Sequence, residues 1–473
     1  MPEKTDNRIC PGPVSRREWL RIGGLSLGAL ATGLPPSLSQ LLAAGEQARS
    51  TSDFSVILFW ANGGPSHLDL FDLKPHEPTE FRGPFRPIAT TVPGMQITEE
   101  LPRLAAMAEH FTLIRSLHHE RAEHSGGTHR FITGYSSRAA NLQDSEYPEI
   151  GSIVAQQFED RTRDVPLFVA NTKLYGSGPA YLGQAHAPYM PAPEPHTSTG
   201  NNTYDPVPIY SSGGPHDTLA VTEDAALALR RRAGLLQEID SLSRRIDASS
   251  DIPPIASFQK QALAMLSSSR TRDAFDLSQE SDAIRRRYGE THWGRSLLTC
   301  RRLVQAGVRF VQCQATYRLK PETGRTSNWD DHSVNSDIFK AYREKLPSFD
   351  QSVTALISDL KEQGLDERVL FIFCGEFGRT PTIRYQDASG RPGRDHWPRA
   401  MSVLLAGGGL KMGQVIGATN PRGEEPAQRA MDSNCLLATL YKQFGINPHH
   451  LLHDRTGRPL PILPHGEPIA ELV

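Results

Sequence analysis

Cysteine is scarce in this 473-residue chain: five residues, at positions 10, 300, 313, 374 and 435, with no Cys-x-x-Cys or other thiolate-ligand spacing. That excludes a thiolate metal centre and supplies no disulfide framework. Cys313 and Cys374 each close an apolar run, where a buried free thiol is expected. Charge imbalance is missing too. A formal net charge of −2 gives no global basic field to hold nucleic acid or an acidic membrane. The cluster Arg230-Arg231-Arg232 reads as a solvated helix face. No internal repeat is visible, and no stable membrane span is expected in the mature chain. Gly407-Gly408-Gly409 lacks the GxxxxGK[ST] context of a phosphate loop and reads as a turn. What the chain does have is glycine (39) and proline (36), which imply many turns and long loops rather than a helical bundle. A hydrophobic content of 38% with 22% charged residues fits a soluble globular protein, one large domain or two ordinary ones.

The N-terminus carries Ser15-Arg16-Arg17-Glu18-Trp19-Leu20-Arg21, then a modestly apolar stretch ending near Ala43-Ala44-Gly45. Paired arginines, an aromatic, a leucine and a weak apolar region form a twin-arginine export signal. Residues 1–46 are therefore expected to be a leader outside the fold, and the mature protein to be periplasmic or extracellular. That route carries folded proteins, often with a cofactor already bound.

Beyond the leader, apolar runs at 54–60, 112–115, 165–170, 308–314, 369–373 and 402–406 predict strands. Helical patterns at 101–110, 152–158, 222–246, 257–267, 294–305, 346–363 and 433–444 fall between them. Gly364 is placed to end the 346–363 helix. Strands alternating with helices argue for a doubly wound α/β fold with a mainly parallel sheet flanked by helices. No composition shift marks a boundary, so residues 51–473 read as one domain with a loop-helix insertion at about 171–300. The proline-rich tail 457–473 is expected to lie over the surface.

The most informative stretch is 369–398. Its opening run suits a strand buried on both faces, and Glu376 follows at once. Gly393-Arg394-Asp395-His396-Trp397-Pro398 comes later, a polar knot that no turn requires. Ligands in open α/β sheets bind at the carboxyl edge. Three other segments echo it. Asn62-Gly63-Gly64-Pro65-Ser66-His67-Leu68-Asp69 follows the first strand. His118-His119, His124-Ser125-Gly126-Gly127-Thr128-His129 and Thr133-Gly134 follow the second, and Asn328-Trp329-Asp330-Asp331-His332 a later one. Eight of the 17 histidines (67, 76, 118, 119, 124, 129, 332 and 396) lie in the four segments 60–76, 115–135, 328–335 and 374–398. Oxygen and imidazole donors without thiolates suit a divalent metal: zinc, manganese, calcium or magnesium. Candidate ligands are His67, Asp69, Asp330, His332, Glu376, Asp395 and His396. The helix opening at His124 offers free N–H groups to an anion, and Ser125 or Thr128 offers a nucleophilic or metal-bridging hydroxyl.

The ordered motifs GGPSHLDLFD, HSGGTHRFITG, WDDH, GEFGRTP, GRDHWP and LLAGGGLKMGQVIGAT resemble the bacterial family catalogued as domain of unknown function 1501. The resemblance spans nearly all of the mature chain. It implies an alkaline phosphatase/sulfatase-like fold with metal at the carboxyl edge of the sheet. It also implies that Asn62 stands where that superfamily has a first-strand metal Asp. Asp330 and His332 match its mid-chain pair, Glu376-Phe377 falls at its next Asp-His pair, and His396 matches its last metal His. Counting back from Thr133-Gly134 puts His124 at the sulfatase nucleophile position, without the Cys, Pro or Arg of that motif. A formylglycine sulfatase is thus not expected.

Three readings follow. The first is an exported metal-dependent hydrolase of phosphate or sulfate esters, acting on a small-molecule or polysaccharide ester through Ser125, Thr128 or water. The second is a non-catalytic binding or scaffold protein that retains the fold. The third is a metal-free site in which Arg379, Arg394 and the carboxylates form a buried ion-pair network.

Overall fold

The apolar runs of the sequence become the strands of one sheet in the computed structural model. It describes residues 53–159, 164–191, 206–210, 268–324, 328–386 and 388–473. The expected leader 1–46, the helices 222–246 and 257–267 and most of the 171–300 insertion lie outside the described residues. In chain order the strands are β1 (Ser55–Trp60), β2 (Thr112–His118), β3 (Phe168–Ala170), β4 (Phe310–Gln314), β5 (Val369–Cys374), β6 (Met401–Gly407), β7 (Gln414–Ile416) and β8 (Met431–Asp432). The sheet runs β7-β2-β6-β5-β1-β4-β3, with β8 also paired to β2. β1 is parallel to both β4 and β5, and β3 is parallel to β4. The α/β class with a mainly parallel sheet is as the sequence implies.

β1 shows why a run without alternation is a strand here. Ile57 and Phe59 enter one core and Val56, Leu58 and Trp60 the other, all at most 4% exposed. Burying each such side chain contributes roughly 1.5–3 kcal/mol, so both faces must be covered. One face takes α3 (His292–Gln305) and α4 (Ile338–Glu362). The other takes α1 (His124–Thr133), α2 (Ile150–Gln157) and α5 (Ser433–Phe444).

Four details differ from the sequence expectation. β6 is antiparallel to both β5 and β2. Among the described residues no helix lies between β5 and β6, so the chain turns back at the edge where β5 ends. Helix α4 starts at Ile338 rather than 346 and runs through Pro347, with the Asp337 carboxylate accepting from Phe339 and Lys340 N–H. Its burial on the sheet outweighs the proline's missing bond. The expected helix 101–110 is broken into Pro102–Ala105 and a 3-10 turn at Ala108–His110. The tail is not superficial: Ile462, Leu463, Ile469 and Leu472 are buried in the second core.

The reversal of β6 positions the site. β2 and β5 both run antiparallel to β6, so the ends of β1, β2, β4 and β5 share one edge. The loop 375–400 both leaves and returns there.

Candidate metal centre

The first loop, after β1, is pressed against the others by glycine. Gly63 has φ +105°, and a Cβ on it would lie 2.3 Å from the Asp330 backbone nitrogen. Only glycine meets both demands. Gly63 N–H then donates to Glu376 Oε1 at 2.8 Å, and Trp329 N–H donates to Asn62 O at 2.9 Å. The 328–332 loop is fixed from below. Trp329 is buried, stacks on Trp293 at 5.9 Å and donates its indole N–H to Ala315 O at 2.9 Å. Lys345 donates to Asp331 Oδ2 at 2.8 Å, with both side chains at most 1% exposed. These anchors leave Asp330 facing the site.

Asp330 Oδ1 is the centre. His396 Nε2 lies 3.0 Å from it, His332 Nε2 3.1 Å, His124 Nε2 3.4 Å and Arg379 Nη2 2.7 Å. His332 Nε2 and His396 Nε2 are 2.9 Å apart. The other nitrogen of each ring is held by an oxygen. His124 Nδ1 meets Glu376 Oε1 at 2.6 Å, His332 Nδ1 meets Asp395 Oδ1 at 2.8 Å, and His396 Nδ1 meets Ala122 O at 2.7 Å. A carboxylate or carbonyl oxygen only accepts, so each Nδ1 donates its proton outward and each ring turns its Nε2 edge toward Asp330. The Asp330 carboxylate meets the Arg379 guanidinium and three imidazole edges there, a set of donors that a proton or a metal ion can occupy. Oxygen-held imidazoles aimed at one point are the arrangement of metal-ligating histidines. Donor atoms of His124, Asp330 and His396 all lie within 4.8 Å of one another, a spacing open to a tetrahedral ion with bonds of about 2.0–2.2 Å.

The electrostatics agree. Burial opposes charge on His124, yet hydrogen bonds and charge from Asp330 and Glu376 prevail and push its pKa up to about 9. A cage that draws in a proton at that nitrogen is one that a metal ion would compete for. His396 is shifted down, chiefly by burial. Asp330 is held far below the usual carboxylate range: burial would raise it, but Arg379 and the three imidazoles overcome that. Phe377 is fully buried and packs on His396 at 4.3 Å and on His124 at 5.4 Å. Glu376 Oε2 and both polar atoms of Asn62 are buried without a hydrogen-bond partner.

The sequence candidates divide. Asp330, His332, His396 and Glu376 come together, joined by His124, whose imidazole enters the cluster. Asp395 orients His332. His67 and Asp69 are engaged elsewhere. His67 Nε2 bonds Gly423 O at 2.9 Å, and Asp69 is paired with Arg394 at 2.8 Å, both side chains fully buried. Ser125 Oγ accepts from Leu142 N–H at 2.8 Å and donates to Ala140 O at 3.3 Å, so it fastens a loop. Thr128 Oγ1 is buried and partnerless. Neither hydroxyl bonds a member of the cluster.

Arg379 was legible only as an ion-pair residue, and its place at the centre was not. Its guanidinium bonds the carbonyls of Gly63, Gly64, Trp329 and Arg394 as well as Asp330. The buried ion-pair network of the third reading therefore exists, through Arg379–Asp330 and Arg394–Asp69. It does not account for three imidazoles facing one carboxylate oxygen.

No curated protein matches the chain. Among solved structures, a sulfatase from Pseudoalteromonas sp. is similar at 11% identity over 87% of this chain and 72% of its own, with TM-score 0.39. The phosphonate monoester hydrolase of Agrobacterium radiobacter is similar at 13% identity over 88% and 78%, with TM-score 0.34. The model of the family described as "Protein of unknown function (DUF1501)" matches residues 53–473, and the chain belongs to that family.

Proposed function

We propose that this protein is an exported, metal-dependent hydrolase of phosphate or sulfate esters. The observation that carries the reading is the convergence of His124, His332 and His396 Nε2 on Asp330 Oδ1, each ring anchored through Nδ1. His124, Asp330 and His396 would hold the ion, with His332 beside them. This imidazole-rich set suits zinc or manganese better than calcium or magnesium. A divalent ion there supplies Lewis acidity toward a phosphoryl or sulfuryl oxygen. Arg379 adds a fixed, buried positive charge 2.7 Å from Asp330, which would add to the positive field of the centre. Phe377 shields one side of His124 and His396 from water. Ser125 is tied to the 140–142 backbone and Thr128 is buried, so water is the nucleophile we assign. Export rests on the Arg16-Arg17 leader.

Two observations favour the non-catalytic reading. Arg379 already pairs with Asp330, and among the described residues no side-chain hydroxyl bonds a member of the cluster. Metal analysis followed by turnover assays on aryl phosphate, phosphodiester and sulfate esters separates the two readings. We expect about one equivalent of divalent ion, lost in His396→Ala, with turnover lost in parallel. Less than about a tenth of an equivalent, not regained on adding metal, sinks the metal assignment. Full metal without turnover of any of these esters sinks the hydrolase.

A further inference from the structure

A second site lies beside the helix that carries His124. The 138–147 loop, whose Ala140 and Leu142 backbone atoms bind Ser125 Oγ, forms one wall of a 670 Å³ cleft, a size suited to a small ligand. The residues 177–181 and 454–458 form other walls.

The cleft's charges are unevenly satisfied. Its carboxylates are occupied: Asp144 pairs with Lys173 at 2.7 Å, Glu146 accepts from Arg138 N–H at 3.2 Å, and Asp454 Oδ1 takes Thr456 and Arg458 N–H. Arg138, Arg455 and Arg458 are exposed residues of the lining with no ion pair within 4.0 Å among the described residues, although the Arg455 charge acts on Asp144. A fourth carboxyl, Glu149, is 1% exposed, and its Oε1 has no partner. Burial pushes its pKa up to about 8, against the pull of Lys173 and Gly178, so near neutrality it is mostly a protonated group able to donate as well as accept. Tyr147 stacks on Tyr135 at 4.0 Å and 3°, which stiffens an aromatic wall. Ala180, in the opposite wall, sits at φ +48°, a left-handed conformation that a non-glycine residue holds only at a cost.

We infer that this cleft binds an anionic saccharide, its sulfate or phosphate groups on Arg138, Arg455 and Arg458, a ring against Tyr147 and a hydroxyl on Glu149. Guanidinium forks without an ion pair match such oxyanions, and a cleft that joins the stacked Tyr147 ring to a buried carboxyl with a free oxygen matches a hydroxylated ring better than an acidic peptide. The inference rests on the proposed hydrolase, for which it names the substrate class.

Equilibrium titration of the full protein, at one fixed salt concentration, tests it. The probes are a sulfated dextran oligosaccharide, unsulfated dextran of the same length, inorganic sulfate and a poly-aspartate peptide. We expect the sulfated oligosaccharide to bind at least about tenfold tighter than each of the others. The exposed double substitution Arg455→Ala/Arg458→Ala should weaken it about tenfold or more. An exposed pair on the other face of the sheet, Arg286→Ala/Lys340→Ala, should leave it unchanged. No binding, equal binding of poly-aspartate, or equal loss in the remote pair overturns the cleft. Saturable binding lost only in the cleft variant supports it even where no ester is turned over, and that combination fails the hydrolase alone.

Discussion

At the scale of single residues, the centre is built from side chains with one task each. Asp395 touches the site only through His332, so Asp395→Ala should weaken metal affinity about 10- to 100-fold without abolishing it. Chelator competition reads this directly, and an unchanged affinity would remove His332 from the cage. Asp69 gives the contrasting case. Its partner Arg394 is fully buried, so Asp69→Ala strands a guanidinium and should cost about 3–5 kcal/mol in urea unfolding. The sequence could not separate these two acids. Asp69 lies beside His67 much as Asp395 lies beside His396, and both pairs look ligand-like. Asp69's partner is 325 residues away in the chain, with no local sign. Glu376 and Asp330 were legible because each directly follows an apolar strand or a buried tryptophan that fixes its direction.

At the scale of elements, the turn after β1 carries the site's register. Gly63→Ala would put a Cβ into the Asp330 backbone at a φ that L-residues avoid. We expect a loss of about 2–4 kcal/mol together with weakened metal binding, measured by urea midpoint and metal content. Stability lost with metal affinity intact would show that the two loops are not coupled. Most strands were readable because burial on both faces leaves unbroken apolar runs. The direction of β6 was not, since an apolar run does not state which way it points. The early start of α4 was masked by Pro347, which resembles a helix start. The tail was misread because Ile462, Leu463, Ile469 and Leu472 are spaced by prolines and a glycine, without strand or helix period.

At the scale of the molecule, acid should be the weak side. His119, His129 and His292 are buried, and burial lowers each pKa to about 4. The unfolded chain protonates these rings near 6.5, and the folded one resists until about 4. Stability is therefore complete above 6.5 and falls as pH drops toward 4, by up to about 1.4 kcal/mol per pH unit for each histidine. Urea midpoints at about pH 6.5, 5.5 and 4.5 should decline in order, because below 6.5 the three histidine losses outweigh the proton that buried Glu149 takes up on folding, and a flat profile would mean that these rings are not held neutral. Metal should act oppositely: at about 100 times its dissociation constant it should add about 2.7 kcal/mol, seen as a raised thermal midpoint that His396→Ala abolishes. The sheet order carries a further consequence. β1 is the first of the described strands to leave the ribosome, yet it sits between β4 and β5, whose paired residues lie more than 250 positions later. Throughout that interval Val56-Ile57-Leu58-Phe59-Trp60 has neither neighbour to pair with, so the nascent chain carries an unpaired, aggregation-prone ribbon. Its yield in cells should therefore depend on chaperone supply more steeply than its final stability suggests.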